Sequence, residues 1–231
     1  MIIRMGLLRK KKEMSKEEFK KHWIGTHGKI GGKLPALKGY YQNHVSNSEQ
    51  LGINYKRGLN KIDGISQLWF EDLESMQNSF QSDIGQELKS DEKNFIESVD
   101  VVTAKQNTVI PVHEGKVIKR MSILKRNPEI DIKTFQHEWE GQHAELIKRM
   151  PYVKGYKQNV IFNDNLQKST SSINYNKNKI DGIVELWFEN IEQLKSAFAS
   201  SEGKKAMSHS ETFIKEITTY LVEDYPIILT Q

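Results

Sequence analysis

The chain of 231 residues contains no cysteine. Disulfide bonds, zinc sites built from thiolates and cysteine nucleophiles are therefore excluded, although this absence identifies no cellular compartment. Long apolar runs are also missing, since no stretch approaches the roughly 18 apolar residues that a membrane-spanning helix needs. At the amino terminus the positive charges follow a short apolar run, the reverse of a secretory signal peptide. We therefore expect a cytoplasmic protein with no membrane partner.

Motifs for common cofactors are lacking as well. The sequence has no phosphate-binding loop, no dinucleotide fingerprint and no Gly-x-Ser-x-Gly elbow. His137 and His143 are six residues apart, about 240° around a helix, whereas a zinc-binding pair needs i and i+4 spacing. The net charge of +4 is mild, and the basic run at residues 9–12 has no interleaved aromatic residues for stacking on bases. We expect no metal, no organic cofactor and no nucleic-acid partner.

What the chain does contain is a second copy of itself. The segment at residues 19–27 returns at residues 135–143 with one offset, since 135 − 19 and 143 − 27 both equal 116. From residue 61 onward the offset is 118, because Lys61 matches Lys179. This period exceeds the roughly 20 to 50 residues of solenoid repeats, so each copy is a whole domain. We place the domains at residues 1–112 and 117–231, with a linker at residues 107–116.

Apolar periodicity and turn residues predict the same order in both copies: strand, helix, strand, strand, helix, strand. Ser15 with Glu18 forms a capping box at the first helix, and Asp131 caps its counterpart. The predicted strands cover residues 2–8, 40–45, 64–70 and 99–109, then 117–124, 156–162, 182–188 and 217–222. This is the ferredoxin-like βαββαβ order, which leaves one sheet face uncovered. The predicted fold class is therefore α+β, with two such repeats facing each other as an intrachain dimeric α+β barrel.

Alternation on the third strand of each copy separates two faces. Gln67 and Glu185 share one face with Trp69 and Trp187, whereas the other face is almost entirely apolar and suits packing under helices. A few polar groups beside aromatic walls are typical of a ligand pocket. We therefore expect these four side chains to line a pocket between the two sheets. The alternative is that Gln67 and Glu185 are exposed near a strand end.

The second strand also carries residues that both copies share. Tyr40 and Gln42 alternate with Tyr41 and Asn43, so matched residues occupy both faces and alternation does not choose between them. For Asn43 we favour a hydrogen bond to the backbone over contact with a ligand. The candidate ligand contacts on this strand are Tyr40, Gln42, Tyr156 and Gln158.

Two histidines are common to the copies. His27 and His143 each lie one helical turn beyond a tryptophan, Trp23 or Trp139, on one face of the predicted helix. A partly buried imidazole there can titrate near neutral pH, which suits proton transfer. The structural alternative is a core histidine bonded to a loop carbonyl. Five histidines occur in one copy only: His22, His44, His113, His137 and His209. We interpret them as incidental, except that His44 could make the two pockets differ.

Together these residues resemble the EthD family of the dimeric α+β barrel superfamily. The resemblance rests on Phe19-x-x-x-Trp23-x-x-x-His27, Pro35, Tyr40-x-Gln42-Asn43 and Asp63-Gly64-x-x-x-Leu68-Trp69-Phe70, and the second copy repeats the pattern. Members usually carry one domain and pair as dimers, so the resemblance implies a fused pair that is monomeric or forms a further homodimer. It also implies that His27 and His143 transfer protons and that Glu185, nearer than Gln67 to the usual acidic position, assists.

Relatives in that superfamily include cofactor-free monooxygenases, lactone isomerases and polyketide cyclases or dehydratases. One hypothesis is therefore a cofactor-free enzyme of one of these types, in which His143 moves a proton with help from Glu185. Another is a non-catalytic protein that binds or delivers a compound between tryptophan walls, and a third is a degenerate structural remnant. In the first two the ligand is a small, largely apolar or aromatic oxygenated compound. Long polar loops at residues 46–60 and 163–178 are candidate lids.

Overall fold

The structure is a computed structural model that describes residues 1–58, 61–112, 115–162, 174–175 and 179–230. The two halves repeat one order of elements, as the sequence predicts. The N-terminal half contains β1 (Ile2–Lys10), α1 (Lys16–His22), α2 (Gly28–Gly31), β2 (Gly39–Asn47), β3 (Gly64–Phe70), α3 (Leu73–Gln81), α4 (Asp83–Phe95) and β4 (Ile96–Ile110). The C-terminal half contains β5 (Ile118–Arg126), α5 (Ile132–Glu138), α6 (Ala144–Lys148), β6 (Gly155–Ile161), β7 (Asn174–Tyr175), β8 (Gly182–Phe188), α7 (Ile191–Ala199), α8 (Ser201–Phe213) and β9 (Ile214–Ile228).

Eight antiparallel strands close into one barrel. Within the halves the strand orders are β4-β1-β3-β2 and β9-β5-β8-β6, which are equivalent. Two strands of 15 residues close the ring. The first part of β4 pairs with β1 and its last part with β6. In the same way, the first part of β9 pairs with β5 and its last part with β2. The short β7 adds a parallel pairing on β4. The predicted α+β barrel of two ferredoxin-like halves is confirmed.

The two closing strands are longer than the sequence predicts. The strand predicted at residues 99–109, whose last three residues overlap the predicted linker, spans Ile96–Ile110, and residues 107–110 pair with β6. Residues 223–228, predicted to follow the last strand, continue β9 and pair with β2, even though Pro226 lies among them. Both extensions begin with polar residues and lack an alternating pattern, so their strand geometry comes from the partner half rather than from local preference.

The helices cover the outside of the barrel. Ser15 and Glu18 form the predicted capping box on α1, and Asp131 accepts the predicted bond from Thr134 N at 2.7 Å. A π-helical turn, Trp23–His27, joins α1 to α2, and its equivalent, Trp139–His143, joins α5 to α6. Such turns are rare and often mark functional sites. None of the helices in the described ranges is long and apolar enough to cross a membrane.

Glycine at the start of β3 and β8 lets each buried tryptophan lie directly on the sheet. A Cβ atom on Gly64 would lie 2.2 Å from Trp23 Cζ3, and one on Gly182 would lie 2.4 Å from Trp139 Cζ3. Neither distance is tolerable, so any other residue there would push the ring away. Because aromatic rings of this size dominate core energetics, these two contacts fix the helices against the outer face of the sheet.

Candidate functional site

The sheet divides the predicted site residues into two groups. Gln67, Trp69, Glu185 and Trp187 lie on the barrel-interior face, as predicted from alternation. The histidines, Trp23, Trp139, Tyr40 and Tyr156 instead line cavities between the outer face and the helices. The predicted site residues therefore do not share one pocket between the sheets, because side chains from the helices reach only the outer face. Glu185 cannot assist His143, since the sheet lies between them.

A polar cluster fills part of the barrel interior. Lys119 Nζ lies 2.7 Å from Glu185 Oε2 and donates to Asn43 Oδ1 at 2.8 Å. Gln67 Nε2 donates to Glu185 Oε1 at 2.8 Å, so residues of both halves meet here. Burial acts to raise the pKa of the Glu185 carboxyl, but the charge of Lys119 holds that pKa below its usual value. The cluster satisfies its own charges, which indicates a role in joining the halves.

The predicted backbone role of Asn43 is confirmed. Its Nδ2 donates to the Ile65 carbonyl at 2.9 Å, and Asn159 Nδ2 donates to the Ile183 carbonyl at 2.9 Å. Each asparagine also donates to the residue at the centre of the cluster, Gln67 or Glu185. Sequence reasoning missed Lys119, whose counterpart at the 116-residue offset is the apolar Ile3.

The N-terminal cavity lies between the outer face of β1–β3 and the helices of the first half. It leaves about 20 Å³ for the centres of water-sized molecules. Because one water needs about 10 to 15 Å³ by this measure, the cavity holds little more than one. Its polar and aromatic lining consists of Arg4, Trp23, His27, Tyr40, Ser66, Phe80 and Glu92.

His27 is oriented by a carboxylate. Its Nδ1 lies 2.9 Å from Asp91 Oδ2, and Asp91 also accepts a hydrogen bond from His22 Nε2 at 2.9 Å. The contact assigns the ring proton to Nδ1 and leaves Nε2 as a proton acceptor. Burial lowers the pKa of His27 to about 4, although Asp91 acts in the opposite direction. Hydrogen bonds from both histidines and Asn94 outweigh burial and lower the pKa of Asp91.

Tyr40 lines this cavity, and Gln42 holds it in place. Gln42 Nε2 donates to the Trp23 carbonyl at 2.7 Å, within the π-helical turn, and to the Tyr40 hydroxyl oxygen at 2.9 Å. Gln42 therefore positions its neighbours and does not line the cavity. Gln158 does the same in the second half, with Trp139 and Tyr156 at 2.6 and 2.7 Å. Burial raises the pKa of Tyr40 to about 12, which keeps its hydroxyl protonated as a hydrogen-bond donor.

The C-terminal cavity is the equivalent space in the second half. It is larger, with about 40 Å³ for the centres of water-sized molecules, enough for about three waters. Phe198 and Met207 close it on the side of the helices. The cavity contains no aspartate or glutamate among its described lining residues, whose polar and aromatic members are Arg120, Ser122, Trp139, His143, Tyr156, Phe198 and Ser210.

His143 is also backed by a hydrogen-bonded chain. Its Nδ1 lies 3.5 Å from His209 Nδ1, and His209 Nε2 lies 3.2 Å from Glu138 Oε2. Burial, with His209 as a lesser cause, lowers the pKa of His143 to about 3. The interpretation of His209 as incidental is therefore wrong, as it is for His22 in the first half. Identity between copies could not detect them, because Glu138 stands at the position of His22 and His209 at that of Asp91.

His44 lies outside both cavities. It is buried beside Trp23, with ring centroids 4.4 Å apart, and burial lowers its pKa to about 4. Its counterpart Val160 belongs to the apolar core of the second half. The difference between His44 and Val160 therefore changes what packs against the tryptophan and leaves the lining of the cavities unchanged.

Sequence reasoning also missed the two arginines. Arg4 and Arg120 are both buried in cavity walls, and each lies over a phenylalanine ring, at 4.2 Å from Phe80 and 4.5 Å from Phe198. The signal was present, since Arg-Met recurs in both copies at the 116-residue offset. Its meaning was hidden because Met5 and Met121 face the barrel interior while the arginines face outward.

A strap from the first half, residues 48–58, crosses over the second. Gln50 Nε2 donates to the Ile217 carbonyl at 2.8 Å, and the Tyr55 hydroxyl donates to the carbonyls of Ser210 and Ile214. Ile53 lines the C-terminal cavity, so the first half contributes to that wall. Movement of this predicted lid stays a prediction. The other predicted lid, residues 163–178, lies outside the described residues apart from β7.

No group of three or more His, Cys, Asp or Glu side chains in the described ranges has an arrangement that could hold a metal ion. The polar groups of the two cavities are imidazole, phenol, guanidinium and indole, together with Ser66 and Glu92 in the first and Ser122 and Ser210 in the second. These groups can accept a proton, donate a hydrogen bond and stabilise negative charge on oxygen.

Solved structures with this architecture share little sequence with the chain. A candidate monooxygenase from Lactobacillus acidophilus NCFM is 8% identical, with a TM-score of 0.58, over 100% of this chain and 95% of that chain. A candidate monooxygenase from Fusobacterium nucleatum is 10% identical, with a TM-score of 0.60, over 96% and 91%. An anthrone oxidase-like protein is 9% identical, with a TM-score of 0.60, over 100% and 94%. Similarity at this identity shows the fold alone.

Comparison with curated proteins finds no significant match. A family model described as the EthD domain matches residues 11–98 and again residues 127–216. The two matches cover well over half of the chain and coincide with its two structural halves. The protein therefore belongs to the EthD family, with two copies of the domain in tandem.

Proposed function

We propose that the protein is a cofactor-free acid–base enzyme that binds a small oxygenated compound in its helix-side cavities. The observation that carries this proposal is the contact of 2.9 Å between His27 Nδ1 and Asp91 Oδ2. His27 also lines a cavity. A carboxylate behind one ring nitrogen fixes the tautomer and stabilises the imidazolium that forms when the other nitrogen takes a proton. The His209–Glu138 chain serves His143 in the same way.

In the proposed reaction, His27 Nε2 removes a proton from a carbon next to a carbonyl group. The resulting enolate oxygen is stabilised by Arg4 and by the Tyr40 hydroxyl, which line the same cavity. Return of the proton to another carbon gives an isomer. If a hydroxyl group on the neighbouring carbon takes that proton from the imidazolium instead, it leaves as water and gives a dehydrated product. A base of this kind contributes about 10²- to 10⁴-fold to the rate.

A carbanion formed in this way can also react with dioxygen, so cofactor-free oxygenation belongs to the same proposal. Its support is the similarity in fold to two candidate monooxygenases and to an anthrone oxidase-like protein. Dioxygen would then be the second substrate, and proton removal would remain the step performed by the histidine.

The small volumes restrict the ligand or require motion. Space for about one water in one cavity and about three in the other suits a compound of few atoms. A larger aromatic compound would need Phe80 or Phe198 to move outward, since these rings line the cavities.

The experiment is a screen for deuterium uptake by small β-dicarbonyl compounds and β-keto acids, followed by proton NMR in deuterated buffer. We expect exchange above the buffer rate, and a loss of about 10²-fold or more in the double variant His27→Gln, His143→Gln. The matched control is His137→Gln, because His137 is exposed and lies outside both cavities. If the double variant exchanges every compound as fast as wild type, the proposal is wrong.

The second candidate function is binding without turnover. It is favoured by the low pKa values of both buried imidazoles, about 4 and about 3, which make weak bases. The same screen separates the functions, because Trp23 and Trp139 line the cavities and should report a ligand by fluorescence. A compound that changes tryptophan fluorescence without deuterium uptake would support binding alone.

A further inference from the structure

The two cavities differ in charge. Each contains a buried arginine at equivalent positions, Arg4 on β1 and Arg120 on β5. In the first half Glu92 also lines the cavity, and the charge of Arg4 lowers the pKa of Glu92 against the larger, raising effect of burial. In the second half the position of Glu92 is occupied by Ser210, since 210 − 92 equals 118. The acid that accompanies the first arginine is therefore replaced by a neutral residue.

No carboxylate pairs with Arg120 in the part of the chain that the structure describes. Its contacts there are a hydrogen bond from Nη2 to Thr219 Oγ1 at 2.9 Å and the ring of Phe198. Only 3% of the residue is exposed, so bulk solvent does not reach the guanidinium. Burial without an opposing charge lowers the pKa of Arg120 to about 9. An uncompensated buried cation is costly, which favours any anion that can enter.

Two unused hydrogen-bond donors belong to residues in the same wall. Arg120 Nε and Trp139 Nε1 are both buried without a hydrogen bond of good geometry among the described residues, although Trp139 lies near the Tyr156 hydroxyl. Trp23 Nε1 is unpaired in the first half too, so the arginine is the donor that distinguishes the C-terminal cavity. Buried donors of this kind are rare in folded proteins and call for an explanation by a ligand or an ordered water. Both residues line the C-terminal cavity, whose remaining walls are mostly apolar.

We propose that the C-terminal cavity binds a small organic carboxylate, whose oxygens accept hydrogen bonds from Arg120 and Trp139. The apolar part of the ligand lies against Phe198 and Ile53, the latter supplied by the strap from the first half. The N-terminal cavity takes a neutral ligand, because Glu92 already accompanies Arg4. This inference rests on the proposed function in one respect, that the ligand binds in the same cavity. It does not require catalysis, because an anion can bind without turnover.

Acetate and acetamide test the charge, because they have nearly the same shape and a size close to that of the cavity. In the full chain labelled with ¹⁵N, the Nε–Hε resonance of Arg120 is followed by NMR during titration with each compound. We expect acetate to shift this resonance and to bind about tenfold or more tightly than acetamide. The Nε–Hε resonance of Arg4 is the internal control, and neither compound should shift it.

Exchange of the acid between the halves is the sharper test. Ser210→Glu supplies Arg120 with an internal partner, so it should weaken acetate binding by about tenfold or more. Glu92→Ser should create a second acetate response, at Arg4. The double variant Glu92→Ser, Ser210→Glu should move the response from Arg120 to Arg4.

Equal affinity for acetate and acetamide, or wild-type acetate affinity in Ser210→Glu, would overturn the proposal. If Ser210→Glu does not fold, Arg120→Met takes its place, with the indole Nε1–Hε1 resonance of Trp139 as the readout, and any acetate binding that it retains at the C-terminal cavity overturns the proposal equally. Deuterium uptake gives the separate result for the proposed function. Acetate binding without deuterium uptake by any compound would reject catalysis and keep the anion site. Deuterium uptake without acetate binding would keep catalysis and reject the anion site.

Discussion

The N-terminal and C-terminal halves support their buried histidines with the same kinds of group in a different order. In the first half the carboxylate of Asp91 contacts His27 directly and His22 lies behind it. In the second half an imidazole, His209, contacts His143 and the carboxylate of Glu138 lies behind. Acid and imidazole have exchanged places between two equivalent positions. A duplicated site can therefore keep its chemical composition while neither supporting position stays identical.

The halves also place their charges in different layers. The first half has Arg4 and Glu92 in the cavity and the neutral Ile3 and Gln67 in the barrel interior. In the second half the acid stands in the barrel interior, where Glu185 pairs with Lys119, and Arg120 is left in the cavity without an acid among the described residues. The second half therefore combines a charged interior with an unbalanced cation in its cavity.

The largest effect is expected from breaking the interior pair. Glu185→Gln installs the residue of the first half but leaves Lys119 buried without a counter-charge, which should cost about 3 to 5 kcal/mol in the free energy of unfolding. The double variant Lys119→Ile, Glu185→Gln installs both residues of the first half and should regain most of that loss. Urea denaturation measures both variants. A double variant as unstable as the single one would contradict this account of the cluster.

A smaller effect is expected from removing the cavity arginines. Arg4→Met leaves the partly buried Glu92 without its cation and should cost about 1 to 3 kcal/mol. Arg120→Met removes an uncompensated buried cation and should leave the free energy of unfolding unchanged or raise it. The control is Arg4→Met combined with Glu92→Ser, which should recover stability. Equal losses from Arg4→Met and Arg120→Met would mean that the cavities do not differ in charge balance.

The smallest effect concerns pH. In the folded protein the pKa of His143 is about 3, below the value of about 6.5 in an unfolded chain, so acid favours unfolding across this interval. Stability should fall as the pH drops, by about 1 kcal/mol between pH 6 and pH 5 for this residue. His143→Gln and His27→Gln should each remove a similar part of that slope, as measured by urea denaturation at both pH values. A wild-type slope in His27→Gln alone would mean that Asp91 keeps His27 protonated in the folded protein.

Predictions from the sequence were most accurate where local pattern and packing agree. The strand at residues 64–70 and its copy at 182–188 have the predicted bounds, because their apolar residues match the period of a buried strand. Alternation also predicted correctly that Gln67 and Glu185 face the barrel interior. It failed to predict that a lysine of the same half pairs with Glu185, since Lys119 has no counterpart in the first copy.

The candidate site was predicted only in part. The histidines, tryptophans and tyrosines of the cavities were found because both copies keep them at a constant offset. The helix-covered face of the third strand was predicted correctly, but the helix residues were assigned to the same site as the opposite face, from which the sheet separates them. His22, His209 and Arg120 were missed for a different reason, since their roles depend on partners more than 60 residues away along the chain.

By itself the sequence determined the duplication, the order of elements and the residues that both halves bury, since these follow from local periodicity and internal identity. Tertiary structure alone decided the continuation of β9 past residue 222 and the pairing of β4 and β9 with the opposite half, because strand ends without an alternating pattern are ordered only where a partner strand offers hydrogen bonds. It also decided which charges are balanced. Whether Arg120 has a counter-ion depends on which side chains share its cavity, and that is a property of packing in three dimensions.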